Sequence, residues 1–325
     1  MGIEQAYNTN AKKALLLTAE DPAPFTTIKG TSNLLFTFPH NEILLPKGVE
    51  DCLGTDKDWF AKAHEARDLY MANIFEIMRE RFPEATLHKG NYSRLVADIN
   101  AHPDEAIKRT SSEWDNIIIP KNQHEECCEE QASRRMNEIY YPYHQAQKAI
   151  INEIRAAHDG IIVLDMHSFS PTWKNNPRTE EIGTIRAHKT DLSKALESFL
   201  KNQNDYSYVS GKPYRVADRE KNAARYIEAE CDLQYLGIEI RNDLISTQEG
   251  QNKFIDFIEK SVDHIRSLEH TDPHAYLRAT EKASLVSPLP PRPKPDTTDH
   301  APYTQRVGKK MPWNSEDHTL PTLNA

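Results

Sequence analysis

The stretch Ile161–Pro171, IIVLDMHSFSP, constrains this chain more than any other. Four of its first six residues are large aliphatics, so it reads as a strand buried on both faces in the middle of an α/β sheet. The aliphatic run then gives way to polar residues. Side chains alternate along a strand, so Asp165 and His167 share one face. A carboxylate and an imidazole at the carboxyl end of a central strand stand where ligands and catalytic groups usually gather. An Asp–His hydrogen bond that merely caps a strand would look the same, so the rest of the chain has to separate the two readings.

Strand and helix signals alternate on either side of this stretch. Asn33–Phe38 reads as a first buried strand, ended by Pro39–His40. A long helix is expected over residues 59–82, with Asp58 at its start and apolar positions Phe60, Ala63, Leu69, Ile74, Ile77 and Met78. Leu95–Asn100 reads as a short strand with Arg94, Val96, Asp98 and Asn100 on one face, a polar face suited to a pocket border. A helix over 129–158 should bend near Tyr140–Pro142. Residues 172–189 read as a loop, 191–201 as a helix and Tyr206–Ser210 as a strand. A helix over 220–230, a strand over 234–241 and an amphipathic helix over 248–268 complete the pattern. The expectation is one three-layer α/β domain over residues 1–270 with a mixed, mostly parallel central sheet. Residues 271–325, with SPLPPRPKPDTTDHAP, read as a flexible, proline-rich tail whose P-x-x-P spacing gives a weak SH3-type docking signal.

Composition narrows the function. A net charge of -9 disfavours a nucleic-acid binder, which needs a basic face. No apolar run approaches the roughly 18 residues of a membrane span. No signal pattern opens the chain, and Ala6 breaks the myristoylation pattern. Cys52, Cys127, Cys128 and Cys231 form no CxxC pair, which suits reduced thiols in a cytoplasmic protein.

His40 and His167 each sit at the carboxyl end of an expected strand. Two neutral imidazoles and one carboxylate, with a position left open, make a catalytic zinc arrangement. The carboxylate is Asp58 or Glu42: Glu42 is only two residues from His40, whereas Asp58 would fold back from the following helix start. Glu239 falls on the pocket face of a buried strand, where it either moves protons near a metal or pairs with Arg241 on the same face. Arg94, Asn100, Arg241 and His144 are polar groups suited to meeting a substrate. An arginine among them can grip a carboxylate or steady an oxyanion.

Together these pieces resemble the N-formylglutamate amidohydrolase family. FPHNEILLP, TDKDWF, YSRLVADIN, YYPYH, LDMHSF, EIGTIR and IEIRNDLI match its motifs in order, over about Leu34 to Ile265. That family is similar in fold to zinc carboxypeptidases, of the phosphorylase/hydrolase-like class. The resemblance implies one Zn²⁺ held by His40, Asp58 and His167, with Glu42 as the alternative third ligand. It implies Glu239 as general base and acid, with Arg94, Asn100 and Arg241 lining the substrate side; Arg94 is the second catalytic candidate, and His144 and Ser168 are further candidates for substrate binding. The implied reaction is hydrolysis of a small N-acyl amino acid such as N-formylglutamate or a related acyl-amide. A catalytically degenerate relative that binds a peptide or acyl-amino acid, or a carboxypeptidase-like peptidase, is the alternative. The expected partner is the small-molecule substrate, with neither nucleic acid nor membrane. Two departures stand out: Glu42 replaces a glycine of the first motif, and Ala101 replaces an arginine that follows the strand asparagine. The lost arginine changes carboxylate recognition, with Arg134 and Arg186 as candidate replacements.

Overall fold

In the computed structural model, residues 16–46, 66–107, 110–111, 117–118, 132–173, 175–186, 191–209, 212–214 and 235–271 are described. Asp58, all four cysteines, the 220–230 helix and the proline-rich tail lie outside them. Among the described residues, no helix is long and apolar enough to cross a membrane.

The core is a mixed six-stranded sheet. Its strands are β1 (Phe25–Ile28), β2 (Leu34–Phe38), β3 (Thr86–Gly90), β6 (Ile162–Phe169), β9 (Ile182–Ile185) and β10 (Leu236–Arg241). Their order across the sheet is β1-β3-β2-β6-β10-β9. The inner four run parallel, and β1 and β9 close the two edges antiparallel. Two short two-stranded ribbons, β4 (Thr110–Ser111) with β5 (Ile117–Ile118) and β7 (Thr172–Trp173) with β8 (Asn176–Pro177), lie outside it.

Side-chain parity decides what each face of the sheet carries. Leu34, Phe36, Phe38, Ile162, Leu164, Met166, Leu236, Ile238 and Ile240 point one way into the main core. There they meet α1 (Met71–Arg81), α3 (Asp191–Asn202) and α4 (Gln248–Thr271) through Phe75, Leu196, Phe254 and Phe257 among others. Phe36 packs edge-on to Phe82 and Phe38 to Phe75, at centroid separations of 5.1 and 5.2 Å. Each such aromatic contributes about 1.5–3 kcal/mol by leaving water.

The opposite face packs Leu35, Val163, Ile185 and Tyr235 on Ile150, Ile151 and Ile154 of α2 (Tyr141–Ala157). Further along the strands the same face turns polar. Thr37, Asp165 and Gly237 form one row across the sheet, then Gly183, Glu239 and His167 the next, then Arg241 and Phe169. Helices on both sides make the three layers that the alternation of elements implied.

Four local expectations are corrected. Residues 95–100 are turns: Val96 N–H bonds the Ser93 carbonyl and Ala101 N–H the Asp98 carbonyl. Arg94 and Asp98 meet at 2.9 Å, which a strand forbids because it sets residues four apart at about 13 Å. Leu95, Val96, Ala97 and Ile99 are all buried, so the segment has no exposed face and its alternation was not a strand signal. The neighbouring inner strand is β3, TLHKG, whose lysine and glycine masked it. Residues 172–189 hold the β7–β8 ribbon and β9 rather than a plain loop. β9 tolerates Gly183 because a Cβ there would strike the Lys212 carbonyl. Of the strand expected over Tyr206–Ser210, the described residues 206–209 make a single bridge, Tyr208 to Ile182. Finally, the first long helix is interrupted: Ala66 is helical, Tyr70 takes φ 68°, and a regular helix then runs Met71–Arg81.

The expected bend before α2 is a π-helical turn, Met136–Tyr140, leading into Tyr141–Pro142. Pro142 has no N–H for the helical ladder, and a wide turn accommodates that loss.

His88 of β3 stacks on Tyr143 at 4.4 Å and hydrogen-bonds Thr27 Oγ1 through Nδ1. Burial, helped by the nearby charge of His144, pushes its imidazole down to about 3 against a backbone hydrogen bond at Tyr143. In the unfolded chain a histidine titrates near 6.5. The unfolded state therefore binds the extra proton between these values. The stability His88 lends is complete above about pH 6.5 and falls by up to about 1.4 kcal/mol per pH unit on acidification. Urea unfolding at pH 7, 6 and 5 should show a shallower acid slope for His88→Gln than for the native chain. An identical slope would contradict this assignment.

Candidate active site

His40 lies two residues past β2, His167 near the end of β6, and Asp68 in the turn before α1. The Asp68 N–H donates to the His40 carbonyl at 2.9 Å, which brings that turn over the sheet edge. The two imidazole centroids are 5.3 Å apart. Asp68 Oδ2 is 2.8 Å from His167 Nδ1 and 3.7 Å from His40 Nδ1. All three side chains are buried and offer ligand atoms within 4.8 Å of one another, a group that can hold a metal ion.

Carboxylates on the far side aim both rings. His40 Nε2 donates to Asp98 Oδ1 at 2.8 Å, and His167 Nε2 to Asp165 Oδ2 at 2.7 Å. Asp165 also accepts from Thr37 Oγ1 at 2.5 Å and from the Tyr235 hydroxyl. With Nε2 protonated, each ring turns the Nδ1 lone pair inward, the arrangement seen when carboxylates orient metal-binding histidines. The buried Nδ1 of His40 makes no hydrogen bond.

Charge points the same way. Asp68, Asp98, Asp165 and Glu239 are all at most 7% exposed, and Arg94 is the guanidinium among them, 2.9 Å from Asp98 and 3.9 Å from Asp68. Burying so many carboxylates is costly without added positive charge. Burial alone would lower the basicity of His167, but Asp165 and then Asp68 raise it well above its ordinary value. Burial pushes Asp68 up, yet its hydrogen bond to His167 and the His40 imidazole 3.7 Å away prevail and hold it below the usual carboxylate range. A bound divalent cation would supply the charge that a doubly protonated imidazole otherwise provides. The donors, two imidazoles and a carboxylate, suit such an ion.

Glu239 is directly across from His167 on the adjacent strand. Its Oε2 is buried without a hydrogen-bond partner. Burial pushes its carboxyl up to about 8; His167 and Arg94 pull down, and Asp68 and Asp165 push up. The alternative in-strand pair with Arg241 does not form, because Arg241 holds Asp243 at 2.8 Å.

The remaining sequence candidates divide. Asn100 Nδ2 is 3.2 Å from His167 Nε2, inside the cluster. His144 is buried on α2 against Tyr140, with its imidazole pushed down to about 4 by burial. Ser168 points to the other side of β6, where its hydroxyl donates to the Leu69 carbonyl and braces the Asp68 turn. Glu42 turns to Lys89 at 2.6 Å and so is not the third acid of the cluster. Arg186 is held by Glu197 at 2.8 Å.

Asp68 and the partner role of Asp98 escaped the sequence reading. Asp68 fell inside an expected helix as an ordinary polar position. What sets it apart is its backbone tie to His40, a long-range contact with no local signature. Asp98 lay on the polar face of a supposed strand and had a visible signal, its spacing of four from Arg94.

A three-layer α/β fold with a histidine–carboxylate cluster at the strand ends defines the class. A sequence model of the N-formylglutamate amidohydrolase family (FGase) matches residues 32–246. The chain belongs to that family, a family of hydrolases. Among solved structures it is similar to the gene product Atu2144 of Agrobacterium tumefaciens, at 24% identity and a TM-score of 0.67, over 78% of this chain and 99% of that one. It is also similar to N-formylglutamate amidohydrolase from Ralstonia eutropha JMP134, at 18% identity and a TM-score of 0.51, over 81% of this chain and 99% of that one. These likenesses support the fold. A comparison with curated proteins returned no match.

Competition titration with a chromogenic chelator should find one divalent-cation site per native chain. Asp165→Asn should weaken it by about 10- to 100-fold, because His167 loses its orienting acceptor. Unchanged affinity would show that Asp165 does not set the ring.

Proposed function

We propose that this chain is a zinc-dependent amidohydrolase that cleaves small N-acyl amino acids, N-formyl amino acids such as N-formylglutamate among them. The observation that carries the proposal is the convergence of His40, Asp68 and His167 beside Glu239, whose buried Oε2 has no hydrogen-bond partner. Family membership supports the reaction class. His40, Asp68 and His167 would hold the ion, and when bound it supplies Lewis-acid activation of water and of the scissile carbonyl.

Glu239 is placed to take a proton from the attacking water and to return it to the leaving nitrogen. The C–N bond breaks, and the products are a carboxylic acid and the free amino acid. Asp98 holds Arg94 beside Asp68, with the guanidinium 14% exposed. There it adds positive charge where the tetrahedral oxyanion develops. Asp165 and Asp98 keep the imidazoles in the tautomer that faces the ion. Cysteines without a CxxC pair suit a reducing, cytoplasmic setting.

Glu239→Gln should retain one equivalent of zinc by elemental analysis and lower turnover of N-formyl- or N-acetylglutamate by about 10²- to 10⁴-fold. Wild-type turnover in that variant would overturn the mechanism.

A further inference from the structure

The same sheet face continues past the metal cluster. Phe169 follows His167 by two residues, and Arg241 follows Glu239 by two, so the next row starts about 7 Å further out. Arg178 comes directly after the β7–β8 ribbon and lies over this row. Its guanidinium carbon is 5.2 Å from the Phe169 ring centroid, 5.3 Å from that of Trp173 and 5.2 Å from that of Tyr214. Tyr214 also packs with the α2-side cluster of Ile185 and Tyr235, which places the group on the active-site side of the sheet.

The backbone of Arg178 is pinned as well. Its N–H donates to the Pro171 carbonyl at 2.8 Å, and its own carbonyl accepts from Arg241 Nη1 at 3.2 Å. Of the nearby cations, Arg94, Lys89 and Arg241 each hold a carboxylate. Arg178 has no carboxylate partner among the described residues; its Nη1 donates to the Ser170 carbonyl at 3.2 Å. A guanidinium has five N–H donors, so most of this fork remains for a ligand. Aromatic faces hold a guanidinium in a fixed plane without neutralising it. A planar fork pre-set in this way matches a carboxylate in bidentate fashion.

We propose that Arg178, held between Phe169, Trp173 and Tyr214, is the specificity residue that grips the side-chain carboxylate of an acidic N-acyl amino acid. Arg178 lies over the row about 7 Å beyond His167, a spacing that suits a carboxylate a few bonds from a substrate amide at the cluster. For its substrate the inference rests on the amidohydrolase reading.

The test compares native protein with Arg178→Gln on N-formyl-L-glutamate and on its uncharged analogue N-formyl-L-glutamine. The variant should lose about 10- to 100-fold in kcat/KM on the glutamate substrate, through KM. Its kcat, and both constants on the glutamine substrate, should stay within about threefold. Arg178→Lys, which keeps charge without the fork, should fall between. Equal losses on both substrates, or none, overturn the proposal. Calorimetric titration of glutarate is read alongside, with folding checked by thermal melting and Arg178→Lys replacing Arg178→Gln if the latter does not fold. If the native protein hydrolyses neither substrate, the amidohydrolase reading fails on its own. Glutarate binding that is lost in the variant then still supports Arg178, and binding that is absent or unchanged overturns it.

Discussion

The site depends on two buried carboxylates that never need to touch a metal. Asp98 takes the outer N–H of His40, and Asp165 takes that of His167. Each ring is left with one direction in which its remaining nitrogen can act, and both directions lead to Asp68. Replace either acceptor with a neutral group and the ring can present the wrong nitrogen or swing away. Asp165 is itself fixed by Thr37 on one neighbouring strand and by Tyr235 just ahead of the other. The orientation of one histidine therefore spans three adjacent strands of the sheet.

Register is what makes this network possible. Because β6 and β10 are parallel and in step, Asp165, His167 and Phe169 are matched by Gly237, Glu239 and Arg241. The glycine leaves room for Ile185 and for the Tyr235 hydroxyl that reaches Asp165, the glutamate faces the imidazole, and the arginine anchors the ribbon that carries Arg178. A slip of one residue would send all of these side chains into the aromatic core around Phe75 and Phe257. The hydrophobic residues at even positions of β6 and β10 forbid that slip. The packing of the core and the geometry of the site are consequences of the same alternation.

Much of this could be read from the residues. The central strand, the two histidines and Glu239 were visible because burial and chemistry coincide in them: aliphatic runs that end in ionisable groups. The strand over 95–100 was misread because alternation is a strand signal only if one face meets solvent, and here both faces are buried in a satellite cluster. Asp68 was hidden because its role comes from a backbone contact with His40, 28 positions away in the chain. Arg178 carried no signal, since an arginine after a turn looks like any surface cation until Phe169, Trp173 and Tyr214 are seen around it.

X-ray absorption at the zinc edge of the loaded native protein tests the central claim most directly. The account predicts a shell of nitrogen and oxygen at about 2.0–2.1 Å, with outer-shell scattering from two imidazoles and no sulfur. A sulfur shell near about 2.3 Å, or a spectrum without imidazole scattering, would show that the ion is held elsewhere and that His40 and His167 are not its ligands.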